Sequence, residues 1–427
     1  MSNFKIAVMA IFSICIVGAI IIFAISKSST STQSANLVAW GTLPPEAFDA
    51  AWKASSLAGS KLIKISYVKK DPDSFDADFT ESLAEGTGPD IVVLRDDDIY
   101  NHRNKLFTIP YANYTERDFK NNFIEEGELF LSKDGVIALP FTVDPLVMYW
   151  NRDISSNNQI SEPPKYWDEI YPLISKVTKK DSVGTVLQSA IAMGEFRNIT
   201  NAKDIIAMLL LQAGTPITVR AGSSVTSVLN STFNYPIAPS QSAINFYTQF
   251  SNPTSANYTW NRSLPSSLNL FLSGSLATYI GFSSEIFSIQ QKNSNLNFDV
   301  TSVPQIRNAP KKIVFGRMYA LALVKQSKQL SGAFSAISAL TEASALKAME
   351  MVTNLPPVRR DLLSAKPTDA FRTVFYDSAL ISHSWIDPDS SGSSNTFRDM
   401  IESITSGQAR LSEALSRADS ELNVMLK

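Results

Sequence analysis

The sequence predicts an α/β protein with two doubly wound lobes, preceded by one N-terminal transmembrane helix. The chain has 427 residues, which is longer than one ordinary hydrophobic core and favours two lobes. Strand and helix patterns alternate in the first folded stretch, which is the order typical of a doubly wound lobe. An uncharged apolar run near the N-terminus predicts the transmembrane helix.

The N-terminal apolar run covers residues 6–25, IAVMAIFSICIVGAIIIFAI. About 20 helical residues span roughly 30 Å, the hydrocarbon thickness of a bilayer. Residues 26–36 are polar without apolar periodicity and predict a flexible linker. We therefore expect a single-pass anchor in the cell membrane, with the folded body on the extracytoplasmic side. A cleavable signal peptide is the alternative, since Ala24 and Ser26 form an acceptable cleavage site.

The first folded stretch contains five local patterns. Residues 37–40 (LVAW) form an apolar run suited to a buried strand, and a helix is predicted after Pro44. Residues 63–67 alternate apolar and polar side chains, which predicts a half-buried strand. Apolar residues spaced by four from Phe75 predict the next helix, and residues 89–94 predict another buried strand.

Later parts of the chain carry similar patterns, without a repeat of fixed period. They predict a hairpin-like pair at 136–139 and 146–150, helices at 202–214, 240–250 and 330–337, a strand at 319–324, and helices from Phe397 onward.

Composition excludes several classes of function. The net charge is -2 and no basic stripe is present, so nucleic-acid binding is not expected. Cys15 is the single cysteine, which leaves no intrachain disulfide and no cysteine-based zinc site. His102 and His383 are the two histidines, far apart in the sequence. With no phosphate-binding glycine loop and no nucleophile elbow, we expect no cofactor, no metal and no catalytic residues.

Five short segments follow one another in a recognisable order along the chain. They are 38–42 (VAWGT), 83–91 (LAEGTGPDI), 139–141 (LPF) leading to 148–153 (MYWNRD), 163–169 (PPKYWDE) and 355–361 (LPPVRRD). Taken in this order, they resemble the extracellular solute-binding proteins of ABC importers, in the maltose-binding-protein-like group that binds sugars. The closing helical region around residues 406–415 is similar to the C-terminus of that family.

The resemblance implies the type II periplasmic-binding-protein-like fold, in which two lobes close on a ligand held in a hinged cleft. It also implies an ABC permease as the membrane partner, a small sugar as the ligand and a monomeric chain. The expected lobes are 37–141 plus 307–352 and 145–303 plus 357–427, with crossovers near 141–145, 303–310 and 354–357.

Sugars present apolar faces on which aromatic rings stack, and hydroxyls that carboxylates bind. The resemblance places Asp144 where the maltose-binding protein has a sugar-binding glutamate. It places Phe282 where relatives often carry a tryptophan. Its implied ligand-binding residues are Trp40, Thr42, Asp97, Asp144, Phe282 and Trp385.

Each of these assignments has a simpler interpretation. Trp40 at the end of a strand fits the core equally well, and the acidic run at 96–98 is typical of a solvated face. Arg317 can pair with an acidic ligand, although surface pairing is commoner. Two other functions stay open: a surface glycosidase using Asp97 and Asp144, and a surface receptor for a peptide or polymer that does not serve transport.

Overall fold

The computed structural model describes residues 34–222 and 224–427. The predicted anchor and most of the predicted linker lie outside these residues. Within the described residues, no helix is both long enough and apolar enough to cross a bilayer. The first strand begins at Ala35, so the last residues of the predicted linker belong to the folded body.

The strands are numbered in chain order and range from two-residue pairings to one strand of 14 residues. They are β1 Ala35–Gly41, β2 Ile63–Lys69, β3 Ile91–Arg95, β4 Leu106–Phe107, β5 Ile109–Pro110, β6 Leu131–Ser132, β7 Gly135–Val136, β8 Ala138–Asn151, β9 Lys179–Lys180, β10 Val186–Ile191, β11 Thr218–Ala221, β12 Ser224–Ser227, β13 Leu276–Phe282, β14 Phe298–Thr301, β15 Val314–Val324 and β16 Ser382–His383.

The α-helices are numbered in the same way. They are α1 Pro45–Ala54, α2 Phe75–Glu85, α3 Asp96–His102, α4 Glu116–Asn122, α5 Arg152–Asn157, α6 Ile170–Val177, α7 Ala202–Gln212, α8 Pro239–Thr248, α9 Ser267–Leu272, α10 Glu285–Lys292, α11 Leu330–Leu340, α12 Ala343–Thr353, α13 Arg360–Leu363, α14 Ala370–Leu380, α15 Ser390–Thr405 and α16 Leu411–Met425. Short 3-10 helices cover Glu125–Phe130, Trp167–Glu169 and Gln249–Ser251.

The predicted α/β class is confirmed, and the first elements follow the predicted order. Strand β1 lies between β2 and β3 and is parallel to both. Helix α1 begins at Pro45, where a missing N–H costs no intrahelical hydrogen bond. Helix α2 ends at Gly86, whose φ of 73° is the left-handed conformation that glycine adopts without strain.

The main sheet runs in the order β2-β1-β3-β15-β8-β13-β10-β9. Strands β8 and β15 are antiparallel, and they join the part of the sheet that contains β1 to the part that contains β13. Both long strands therefore pass from one half of the described structure to the other.

The predicted hairpin at 136–150 is wrong, because β8 is one continuous strand through both of its prolines. The ladder between β8 and β15 shifts register beside Pro140, because Tyr319 pairs with Thr142 and Ala320 pairs with Pro140, which leaves Phe141 as an extra residue in β8. Such an irregularity accommodates a residue that has no N–H to donate to the ladder. Proline-marked segments need not turn when a neighbouring strand pairs along their whole length.

Two separate clusters of buried hydrophobic residues lie on either side of this junction. The first cluster includes Phe48, Phe79 and Leu94 and is formed around β1, β3 and the start of β8. The second cluster includes Tyr149 and Trp260 and is formed around β13, β10 and the end of β8. Strand β8 changes cluster between Val143 and Leu146, and β15 changes between Phe315 and Met318.

Candidate ligand-binding site

The end of β3 places a row of carboxylates next to the junction of the two clusters. Parallel strands end at the same edge of a sheet, and α3 starts directly there with Asp96, Asp97 and Asp98 in its first turn. Acidic side chains in the first turn of a helix interact favourably with its dipole. The interpretation of 96–98 as a solvated face is wrong for Asp96, which is only 6% exposed.

Asp97 is held from both sides of the junction. Arg95 Nη2 donates to Asp97 Oδ2 at 3.1 Å, and Ser390 Oγ from the second half donates to the same oxygen at 2.6 Å. Burial opposes ionisation, but the charges of Arg95 and Lys203 outweigh it and hold the pKa of Asp97 below its usual range. Asp97 Oδ1 lies 3.1 Å from Arg95 Nε, an ion-pair contact, and accepts no hydrogen bond of normal geometry among the described residues.

Asp97 belongs to a charged cluster of six residues at the junction, which are Arg95, Asp97, Lys203, Asp204, Arg317 and Asp387. Lys203 Nζ lies 2.5 Å from Asp387 Oδ2, and Arg317 Nη2 lies 3.0 Å from Asp204 Oδ2. Burial lowers the pKa of Lys203, but Asp387, Asp97 and Asp204 outweigh that effect and raise the pKa overall. Arg317 does not form the expected surface pair, because its partner Asp204 and the Phe282 ring beneath it both lie at the junction.

Asp144 lies in β8, opposite Arg317 in the ladder. Asp144 Oδ1 accepts from Ser283 Oγ at 2.7 Å and from Ser284 N at 3.0 Å. Burial raises the pKa of Asp144, which these hydrogen bonds and the Arg317 charge offset only in part. Asp144 is therefore close to the charged cluster, but one of its oxygens, Oδ1, already binds the loop that follows β13.

Three of the implied ligand-binding residues are aromatic, and each has a protein cation near its ring. The guanidinium carbon of Arg317 lies 3.9 Å from the ring centroid of Phe282. Lys203 Nζ lies 6.0 Å from the ring centroid of Trp385, and Trp385 stacks on Phe397 with centroids 5.9 Å apart. In this conformation the Arg317 guanidinium covers the Phe282 ring.

Trp40 and Thr42 lie at the end of β1, and both are half-buried. The ring of Trp40 packs against the first cluster, and Lys70 Nζ lies 3.8 Å from its centroid. Among the described residues, no hydrogen bond or ion pair joins the Trp40 or Thr42 side chain to the charged cluster. The structure brings together Asp97, Asp144, Phe282 and Trp385, and β1 lies beside β3, at whose end Asp97 is placed.

The charged cluster encloses a cavity of about 10 Å³, room for about one water molecule. Asp97 and Trp385 line this cavity together with Asp96, Lys203, Asp204, Phe315, Arg317, Ser384 and Asp387. This space is too small for a sugar ring. Within the described ranges, no group of three His, Cys, Asp or Glu side chains is arranged to hold a metal ion.

Asp96 is a buried residue in the lining of this cavity. Asp96 Oδ1 accepts from Met318 N at 3.1 Å, and Ser384 Oγ donates to Asp96 Oδ2. Burial, reinforced by the charge of Asp97, raises the pKa of Asp96 to about 7. Burial and the nearby Asp96 also raise the pKa of Glu126. Two carboxyls at the junction therefore bind protons more tightly in the folded chain than in the unfolded chain.

We expect Asp96→Asn to flatten the pH dependence of stability between pH 4 and pH 7. The folded chain keeps the Asp96 proton up to about pH 7, whereas the unfolded chain releases it near 3.8. The free energy of unfolding therefore falls as pH rises through this window, by at most about 1.4 kcal/mol per pH unit from this group. Denaturant unfolding at several pH values measures the slope. The exposed variant Asp134→Asn serves as the control, and parallel profiles for Asp96→Asn and the unmodified chain would contradict the expectation.

Several residues of the site carried no role in the sequence-based prediction. Arg95, Lys203, Asp204 and Asp387 complete the charged cluster. Lys203 and Asp204 are adjacent in the first turn of α7, which the sequence predicts, but nothing local indicates that they face Asp387 and Arg317. Contacts of this kind depend on how β15 and the 384–390 segment return to α7.

A family model for bacterial extracellular solute-binding proteins matches residues 47–371. The chain belongs to this family. No protein with a curated description matches the sequence. The family assignment predicted from the five short segments is confirmed.

Solved structures similar to this solute-binding protein share its fold at low sequence identity. A cyclo/maltodextrin-binding protein complexed with maltotetraose is 16% identical with a TM-score of 0.74, covering 93% of this chain and 99% of that one. A cyclic alpha-maltosyl-1,6-maltose binding protein from Arthrobacter globiformis is 15% identical with a TM-score of 0.74, covering 92% and 99%. An ABC substrate-binding protein from Listeria monocytogenes in complex with cycloalternan is 15% identical with a TM-score of 0.67, covering 92% and 99%.

Proposed function

We propose that this solute-binding protein is the extracytoplasmic component of an ABC importer and that it binds a sugar or oligosaccharide between two lobes that close on the ligand. The structural neighbours support a saccharide ligand, because their structures contain maltotetraose and cycloalternan. The family consists of binding proteins, and we propose no reaction for the chain.

One observation carries the proposal: Asp97 and Trp385 line the same cavity at the junction of the two clusters. Asp97 is ionised at neutral pH. Its Oδ1 lies 3.1 Å from Arg95 Nε but accepts no hydrogen bond of normal geometry from the described residues. A carboxylate oxygen of this kind is a strong acceptor for a sugar hydroxyl. Trp385 supplies an aromatic wall at the same place. Asp144, Phe282, Trp40 and Thr42 complete the proposed site around a ligand that opens the cleft.

The two lobes of this proposal correspond to the two hydrophobic clusters. The predicted boundaries are 37–141 plus 307–352 and 145–303 plus 357–427, and they agree with the clusters for most of the chain. Val314 and Phe315 pack in the second cluster, whereas Val358 and Leu363 pack in the first. We therefore propose that the hinge lies where β8 and β15 change cluster, at 144–145 and 316–317.

We further propose that residues 6–25 anchor the protein in the cell membrane as a single transmembrane helix. A linker of about 10 polar residues has an r.m.s. span of roughly 17 Å. The body would then stay within reach of a permease in the same membrane. A monomer is sufficient for this arrangement, because one chain supplies both lobes.

Titration calorimetry of the full chain in detergent, with a panel of mono- and oligosaccharides, tests the proposed function. We expect at least one saccharide to bind at micromolar affinity, about -8 kcal/mol, and to raise the midpoint of thermal unfolding by mass action. Peptides, amino acids and polyols serve as the comparison panel. Binding of a peptide alone would overturn the saccharide proposal, and turnover of a labelled saccharide would overturn the proposal of binding without reaction.

A further inference from the structure

A second cavity of about 80 Å³ lies beside the charged cluster and shares Asp96 and Trp385 with it. Its wall is largely apolar and comes from both lobes: Ile99, Leu129, Phe130 and Ile137 from the first, and Val225, Trp385 and Ile386 from the second. Pockets for whole ligands measure about 300–1,000 Å³. This cavity is therefore the right size for one group of a ligand and not for the entire molecule.

Two arginines line this apolar cavity, Arg103 at the end of α3 and Arg220 on β11. Among the described residues, neither has a carboxylate within ion-pair distance, in contrast to Arg95 and Arg317 in the charged cluster. Arg103 Nη1 donates to Tyr100 O at 2.8 Å, and its guanidinium lies 3.9 Å from the Tyr100 ring centroid. Burial lowers the pKa of Arg220, as expected for a cation that lacks a counter-ion.

Asp96 is the one acidic residue among the described residues that line this cavity. Its two oxygens are already engaged by Met318 N and Ser384 Oγ. Because the pKa of Asp96 is raised to about 7, this carboxyl carries only part of a negative charge at neutral pH. The two guanidinium groups therefore lie in an apolar, positively charged pocket without a strong protein anion.

Closure of the lobes brings these two cations to the same cavity from opposite sides. Arg103 belongs to the first lobe, and Arg220 belongs to the second. Tyr100 Oη donates to Leu426 O at 3.0 Å and so links the lobes at this place. Like charges that approach in an apolar space repel, and an anion between them would turn that repulsion into attraction. Such an anion would favour the closed state by differential contacts.

We propose that this cavity is an anion subsite and that the solute is an acidic saccharide, whose carboxylate or sulfate group binds between Arg103 and Arg220. The inference rests on the proposed saccharide-binding function. Guanidinium groups match the planar, bidentate geometry of a carboxylate and also bind sulfate. The sugar rings of the ligand lie along Asp97 and Trp385, and the charged group reaches past Trp385 into the apolar cavity.

Calorimetry of the full chain with matched ligand pairs tests the anion subsite. The pairs are uronate oligosaccharides and their methyl esters, and sulfated oligosaccharides and their unsulfated parents. We expect the charged member of one pair to bind at least about tenfold more tightly than its neutral partner, with the difference decreasing as salt is added. The uronate and sulfate pairs distinguish the two kinds of anion.

Two variants locate the effect. Arg220→Gln should reduce the difference between charged and neutral ligands to less than threefold. Arg117→Gln, on the exposed face of α4, should keep the difference intact. If neutral ligands bind as tightly as charged ones, or if Arg220→Gln keeps the preference, the anion subsite is wrong and the saccharide-binding function stands. If no saccharide of either kind binds, both proposals fail.

Discussion

Lys203→Met is expected to lower the free energy of unfolding by about 3–5 kcal/mol, because removal of one partner leaves a buried charge without compensation. The Lys203 side chain is 12% exposed and that of its partner Asp387 is 1% exposed. Asp97 and Asp204 also depend on this ammonium, since both raise its pKa. The loss thus affects three carboxylates at the junction.

Chemical denaturation of Lys203→Met and of the unmodified chain measures this loss of stability. Lys165→Met is the matched control, because Lys165 forms an ion pair with Glu162 in which both side chains are more than 60% exposed. Exposed pairs contribute little to stability, so this variant should unfold like the unmodified chain. Adding Asp387→Leu to Lys203→Met should recover most of the lost stability. A loss below about 1 kcal/mol for Lys203→Met would show that the charged cluster is not a tightly coupled unit.

Asp97→Asn is expected to weaken saccharide binding by about 10- to 150-fold. Hydrogen bonds to charged groups contribute about 1.5–3 kcal/mol, and each 1.4 kcal/mol corresponds to a factor of ten in affinity. The low pKa of Asp97 keeps it ionised at neutral pH. The variant replaces this carboxylate with an amide of the same shape. The lost affinity therefore measures the contribution of the negative charge to binding.

The neighbouring variant Asp98→Asn separates this effect from a general effect of charge. Asp98 lies in the same first turn of α3 and lies 3.5 Å from Arg95. It does not line either cavity described above. We expect Asp98→Asn to change the dissociation constant by less than about twofold. Equal weakening by the two variants would mean that Asp97 acts through the helix or through Arg95 and not through the ligand.

The first elements of the fold were predictable from the sequence because their signals are local. Pro45 begins α1, Gly86 ends α2, and apolar alternation marks β2. The course of β8 was not predictable, since a strand through Pro140 and Pro145 forms only when β15 pairs beside it. Pairing of this kind joins residues more than 170 positions apart, and no short pattern reports it.

Some residues of the candidate site were likewise predictable from the sequence, and others were not. The resemblance to the family selected Asp97 and Trp385, which the structure places at one cavity. It did not select Lys203 or Asp387, whose contact depends on a segment 184 residues later in the chain. The burial of Asp96 was also missed, because three consecutive aspartates resemble a solvated surface until β15 and Ser384 cover the first of them.

The most direct test of the central claim, that two lobes close on a saccharide, is a distance measurement across the proposed cleft. Spin labels at Val68→Cys and Phe287→Cys, two exposed positions on opposite lobes, are introduced into the full chain carrying Cys15→Ser. We predict that the saccharide of highest affinity shifts the distance distribution to one shorter and narrower population. An unchanged distribution at saturating ligand, with binding verified by calorimetry, would contradict closure of the lobes around the solute.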